Sequence, residues 1–503
     1  MSKYLVIFFF VIVNVVAQPN ATSDFEREIR KLFPYSNFVT GKKNKELTLK
    51  SILFSVENYY PEIIAAEKEI EIAEYEFLSS QGNFDLKLKS YAALKQGNYD
   101  NEKYNIQFDQ PVTFMGMSFF AGYRKGIGDF PVYDGKYFTR PRGEIRAGVR
   151  MPLWRDRGID RRRVLLRKAR LGKSMGIMFY EGSRLRVYQL SAHSYWKWVA
   201  SGQKYLVIKG LLEIAQKRMQ QLQDKVDLGY LPGMEKIDNE RVVFERETQL
   251  IAAQREFQKA SIKLSLFYRN PKSEVVLPLP SQVPERFPQT KSISLEEFKK
   301  DIVVAWKKRP ELRAISIMRG KKELDLQLAR NNMKPRIDLE VAASKDVSGG
   351  PVLEDKNNPY GIKLPPELKS ERFNRTDLEA KVIFSLPLQR RKEKGKLGAT
   401  RGKLLQISQK EKLLRDKIRA EVQDALSGVE NARAEVAVAK KAAEVAEKLE
   451  GMEREKFDLG ASSLFKLNLR EQKTAETKIK YIKSLANHHI SLAIYQSVTA
   501  EWL

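Results

Sequence analysis

The chain has no cysteine, which excludes disulfides, thiol catalysis and thiol-linked lipid anchors. It has only three histidines, His193, His488 and His489. The adjacent pair points in different directions on a helix, so its spacing does not suit a shared metal ion. There is no phosphate-cradling glycine loop, since "GIGDF" at 126–130 is too short for one. No catalytic constellation, cofactor or metal site is therefore expected, and the chain does not read as an enzyme. Beyond the first residues, no stretch approaches the roughly twenty uninterrupted apolar residues of a spanning helix.

Basic charge, by contrast, is abundant: 503 residues carry a formal net charge of +27. Such a balance suggests nucleic acid, anionic surfaces or simply well-solvated helices. The densest cluster is "MPLWRDRGIDRRRVLLRKARL" at 151–171, and "LPLQRRKEKGKL" at 386–397 echoes it. At the N-terminus, Lys3 precedes the short apolar run "YLVIFFFVIVNVV", and Val15-Val16-Ala17 offers a cleavage site. That pattern predicts a secretory signal peptide over 1–17, cut after Ala17. An exported chain argues against nucleic acid as the partner.

Internal similarity is the strongest organisational signal. "YYPEIIAAEKEIEIAEYEF" (59–77) resembles "KRPELRAISIMRGKKELDLQLA" (308–329), and "MPLW" (151–154) resembles "LPLQ" (386–389). "VDLGYLPGMEKIDNER" (226–241) resembles "FDLGASSLFKLNLRE" (457–471). Pro152 and Gly229 lie 77 residues apart, Pro387 and Gly460 lie 73 apart, and the landmarks keep their order. Two structural repeats are expected, at 49–269 and 301–503, following an N-terminal segment over 18–48. Between them, 270–300 forms a connector whose proline-rich part (270–290) no helix traverses.

Within each half the apolar period changes. Ile418, Val422, Ala425, Val429, Ala432, Val436 and Ala439 recur at alternating spacings of 4 and 3, a heptad seam. A helix from near 392 to 458 follows, with a counterpart from about 161 to 226. Each is on the order of 100 Å long and requires coiled-coil packing. Before these helices the period is two. "GEIRAGVRM" (143–151), "DLEAKVIFSL" (377–386), "RIDLEVA" (336–342) and "DLKLKS" (85–90) set apolar residues against charges. These predict strands within about 84–151 and 336–387, each with one apolar and one wet face. A sandwich would produce that alternation, and so would a membrane β-barrel with its charges inward. Four such strands cannot close a barrel alone, since about eight are needed, so several copies would have to combine. The segment 104–128 is also strand-like and aromatic, with its placement open, and 348–367 reads as an external loop.

Taken together, these features resemble the TolC-like outer-membrane efflux proteins from about Leu49 to Ser497. The resemblance rests on the order and duplication of the landmarks, since no single motif is specific. It implies a mixed α/β membrane protein: a homotrimer in which each protomer gives four strands to a 12-stranded outer-membrane β-barrel. Long α-helices continue this barrel into the periplasm as a tunnel. It implies partners as well: outer-membrane lipid, a periplasmic adaptor, and an inner-membrane pump of the resistance-nodulation-division or ABC type. By the same resemblance, adaptors dock at the tips, here Leu228, Gly229 and Tyr230 in one half and Gly460, Ala461 and Ser462 in the other.

The family's constriction carries acids six and nine positions after the second tip glycine, where this chain has Lys466 and Leu469. Its closing contacts use a carboxylate six residues after the first glycine, kept here as Glu235. They also use an aromatic hydroxyl three residues before the second, which Phe457 lacks. A neutral or basic constriction favouring anionic cargo is the expectation. Trp154, Arg155, Arg157, Arg390 and Arg391 would lie at the membrane interface. The function implied is an export duct for small molecules or metal ions. The alternatives are a duct for type I protein secretion and a non-channel coiled-coil protein of the envelope.

Overall fold

The computed structural model describes residues 46–97, 100–128, 142–229, 232–347 and 376–503. The expected signal peptide, nearly all of the segment before residue 48, Tyr230 of the first tip, and the expected external loop at 348–367 lie outside the described residues. Among the described residues, eight α-helices and six strands follow in order: α1 (Leu49–Tyr59), α2 (Pro61–Gln81), β1 (Lys87–Lys95), β2 (Asn101–Pro111), β3 (Ser118–Gly128), β4 (Glu144–Pro152), α3 (Arg161–Asp227), α4 (Gly233–Ser265), α5 (Leu295–Lys308), α6 (Pro310–Asn332), β5 (Arg336–Asp346), β6 (Asp377–Ser385), α7 (Arg391–Asp458) and α8 (Leu464–Val498).

The two long helices fall where the heptad period places them, at 67 and 68 residues. The strands differ from expectation. Six strands, not four, form one antiparallel sheet in sequence order, β1 to β6. The 104–128 segment supplies β2 and β3, inserted between β1 and β4 as a hairpin. The four strands implied by the resemblance are therefore corrected to six among the described residues.

The chain divides into two compact units, each assembled from three separate stretches. One comprises residues 61–187, 293–427 and 494–503, and holds the whole sheet. Within it the first half of α3 packs on α2 and α6: a Cβ at Gly176 would lie 2.9 Å from the Glu69 carbonyl, and Lys168 pairs with Asp325 at 2.9 Å. The first half of α7 is tied to α6 through Arg319–Glu411 at 3.4 Å and through Arg309–Glu421. Ile418 and Val422 are fully buried there, as the seam requires.

The other unit comprises 1–60, 188–292 and 428–493. Its described core is aromatic: Trp198 is fully buried and donates from its indole to Ser261 at 3.1 Å, and Trp196 stacks on His489 with centroids 4.4 Å apart. The proline-rich connector contributes through backbone atoms. His489 Nε2 lies 3.2 Å from the Pro288 carbonyl, and the Lys291 N–H donates to His488 Nε2 at 3.2 Å. Both histidines are thus engaged in packing and connector contacts. Val429 and Val436 continue the α7 seam in this unit, and Thr474 of α8 donates to the Ala446 carbonyl of α7.

Candidate functional site

The strand period sets the chemistry of the sheet. With alternate side chains on opposite faces, one face carries Leu88, Ile106, Phe108, Phe119, Ile145, Val149, Val341, Leu378, Val382 and Phe384. Most of these are exposed, Leu378 at 81% and Phe384 at 63%. Such a continuous exposed apolar surface is unlike that of a soluble monomer and marks an interaction face.

The opposite face is an ion-pair lattice running across strands. Lys89 (β1) reaches Asp109 (β2) at 2.5 Å, and Arg150 (β4) approaches the same carboxylate at 3.4 Å. Arg150 also pairs with Glu340 (β5) at 2.6 Å, and Arg146 joins Glu340 at 3.1 Å to Glu379 (β6) at 2.7 Å. Arg124 (β3) holds the fully buried Glu144 at 2.5 Å. The Phe120 ring lies beneath the guanidinium groups of Arg146 and Arg150, 5.2 and 4.4 Å from its centroid. Gly148 leaves room for that ring: a Cβ there would come within 2.6 Å of it. A cavity of about 880 Å³ opens at the base of this face, lined by Arg150, Arg155, Asp156, Arg162, Lys392 and Glu393 among others.

At that base the chain passes from strand to helix. After Pro152 the Leu153 N–H donates to the Ile337 carbonyl at 2.7 Å, and Trp154 stands half exposed. Asp156 has a left-handed φ of 71°, held by its amide and carboxylate to the Asn331 side chain. Asp160 caps α3 by accepting the Arg163 N–H at 3.0 Å. The basic run is not one binding surface. Arg163 is buried, bridging Asp160 to the carbonyls of Asp156 and Arg157, while Arg157, Arg161 and Arg162 face outward. At the second junction Arg390 takes a φ of 52° and donates to the Met333 carbonyl at 3.2 Å, and Arg391 is exposed.

The two tips share a construction. Gly229 and Gly460 follow α3 and α7 with φ of 77° and 74°, the left-handed region glycine enters without a Cβ clash. The Gly460 N–H donates to the Phe457 carbonyl and the Ala461 N–H to that of Lys456, which closes a Schellman cap. Leu228 and Leu459 stand exposed at 70% and 84%. Ser462 donates to Glu453, whose carboxyl is held below its usual range by that hydrogen bond and by nearby cations including Lys466. Lys466 and Leu469 are exposed, Phe457 is half-buried, and Glu235 lies in the first turn of α4.

Behind the tips lies a site that the motif comparison missed. Glu471 of α8 is fully buried and receives Arg218 of α3, Arg246 of α4 at 3.0 Å and Arg454 of α7 at 3.3 Å. Arg218 also donates to Asn468 at 2.6 Å, and Arg246 to the Leu211 carbonyl at 2.8 Å. One carboxylate thus joins all four helices of the two hairpins. Burial alone would raise the Glu471 pKa, but the hydrogen bonds and charges of Arg218 and Arg246 outweigh it and hold the carboxyl below its ordinary value. The signal was available: Arg218 continues the register of Leu211, Ala215 and Leu222, and Glu471 that of Leu464 and Leu467, so charges occupy seam positions.

No protein-family model matches the sequence, and no curated protein sequence is significantly similar to it. Solved structures are similar in fold. The open state of the MtrE outer membrane channel of Neisseria gonorrhoeae superposes with a TM-score of 0.61 at 12% identity, covering 90% of this chain and 88% of that one. The outer membrane protein VceC of Vibrio cholerae gives 0.59 at 11% identity, over 90% and 95%. The CmeC outer membrane channel of Campylobacter jejuni gives 0.58 at 11% identity, over 92% and 89%. The chain therefore has the fold of the TolC-like outer-membrane channels.

Proposed function

We propose that this chain is the outer-membrane duct of a tripartite export system. Three copies surround a passive pore, a periplasmic adaptor docks at the helical tips, and an inner-membrane pump supplies cargo and energy. The observation that carries the reading is the two-sided sheet: large apolar side chains exposed on one face, a cross-strand ion lattice on the other. That is the arrangement required when lipid lies outside and water inside. The long helices leaving the base of the sheet would extend the pore into the periplasm as a helical tunnel.

Trp154 and the exposed arginines of both junctions would lie at the inner membrane–water boundary, where aromatic rings and cations favour headgroups. Leu228, Gly229, Gly460, Ala461 and Ser462 would meet the adaptor. The cargo in this reading is small molecules or ions. The exposed Lys466 beside Leu469 would give the constriction a basic character that favours anions.

Fractionation followed by planar-bilayer recording tests both levels. The chain should sediment with outer membranes and form channels that prefer anions, and Lys466→Glu should shift selectivity towards cations. Recovery in the soluble cytoplasm would reject the duct. A cation-selective pore insensitive to the substitution would reject the basic constriction alone.

A further inference from the structure

We infer that the barrel wall built by this chain has eighteen strands, closed by β6 of each copy pairing with β1 of the next. The inference rests on the three-copy duct proposed above and adds the strand count, the closing edges and the width.

The β2–β3 hairpin is part of the wall and not an appendage to it. Its backbone register is continuous with both neighbours, from Lys87↔Asp109 to Lys95↔Asn101 on one side and from Ser118↔Arg150 to Arg124↔Glu144 on the other. Its side chains obey the same two faces as the rest of the sheet. Ile106, Phe108 and Phe119 join the apolar surface, while Asp109 and Phe120 are built into the ion lattice through Arg150. Withdrawing the hairpin would strip Lys89 and Arg150 of their shared carboxylate.

The edges identify the partner. β1 and β6 are each nine residues long and exposed throughout, and among the described residues neither has a second strand beside it. Long bare edges invite pairing, and six strands are too few to close on themselves. The first and last strands of an antiparallel six-stranded sheet run in opposite directions. Head-to-tail pairing of β6 with a neighbour's β1 is therefore antiparallel, like every pair already present.

The two edges are complementary in net charge: on the lattice face β1 carries Lys87, Lys89 and Lys95 with no acid and β6 carries Asp377 and Glu379 with a single Lys381, Lys89 and Glu379 being held within the sheet as well by Asp109 and Arg146. Three copies of six strands then give eighteen. With strands about 4.8 Å apart and tilted by about 40°, the backbone cylinder is about 36 Å across, against about 24 Å for twelve strands.

Cryo-electron microscopy of the full chain in lipid nanodiscs counts the strands directly. The absence of native cysteine permits a parallel check: Ala92→Cys on β1 combined with single cysteines scanned along β6 should oxidise to a covalent ring of copies. Eighteen strands around three copies and a cross-linked β1–β6 edge are the expected results. Three copies enclosing twelve strands, with the hairpin outside the wall, would overturn the inference and leave the duct standing. Two copies closing twelve strands would overturn the inference and the trimer together. A chain found outside the membrane would overturn the duct, and the wall with it.

Discussion

Glu471→Ala should loosen the two tip hairpins while leaving the sheet intact. The substitution removes the carboxylate that pairs directly with both Arg246 and Arg218, whose side chains are 2% and 9% exposed. Removing one partner of a buried ion pair costs about 3–5 kcal/mol, because the remaining charges stay desolvated. At about 1.4 kcal/mol per decade, local opening of the joined helices becomes roughly two to three and a half decades more frequent. Native-state hydrogen exchange reads this as faster exchange near residues 211–222, 239–250 and 464–475, with the strand amides unchanged.

Glu471→Gln, which keeps the volume and one acceptor oxygen but loses the charge and turns the other oxygen into a donor facing arginine N–H groups, should fall between the two. The carboxyl is held below its unfolded value, so its stabilisation is full above about pH 5 and disappears as pH falls through the folded-state pKa. The gap between wild type and Glu471→Gln should close in that acid range. Exchange in the Ala variant within tenfold of wild type would refute the assignment of the cluster as the node holding the hairpins.

A Cβ at Gly148 would clash with the Val341 carbonyl and lie 2.6 Å from the Phe120 ring, so Gly148→Ala should displace both and cost about 1–3 kcal/mol, read as a lower melting temperature; an unchanged melting temperature would refute the crowding. Gly460→Ala places a Cβ in left-handed backbone and should lower tip stability by about 1 kcal/mol, measured by limited proteolysis after Asp458; equal cleavage rates would refute it. Burial, reinforced by the neighbouring His488, lowers the His489 pKa from 6.5 to about 4, so folding favours its neutral form. Stability from this group is complete above about pH 6.5 and is lost progressively towards pH 4. His489→Phe should flatten the thermal-melt profile across that window, and an unchanged slope would refute the assignment.

The helices were legible because a seam such as Ile418, Val422, Ala425 and Val429 repeats over many turns and is buried as its period demands. Strands β1, β4, β5 and β6 were legible because charges fill alternate positions. The placement of β2 and β3 was not. Tyr104–Gly128 alternates in character, but alternation does not say which strand lies alongside, and that information resides in non-local pairs such as Phe108↔Ala121 and Ala121↔Ala147. The tip glycines were visible as helix ends because the φ they adopt is one few other residues accept. The Glu471 node was overlooked for a different reason. An arginine on a basic helix reads as solvated until its register is counted, and only the fold brings Arg218, Arg246 and Arg454 to one carboxylate.

The sheet meets its helices at a single rim. All four of its connections to helices, before Lys87, after Pro152, before Arg336 and after Ser385, emerge at the same end. That holds only because each half of the chain enters the sheet and leaves it after an even number of strands. A single added strand would send the next helix out at the opposite rim, whereas an added hairpin returns the chain to where it left. The girth of such a wall therefore changes in whole hairpins, and insertion of β2 and β3 leaves the exits of α3 and α7 at the same rim.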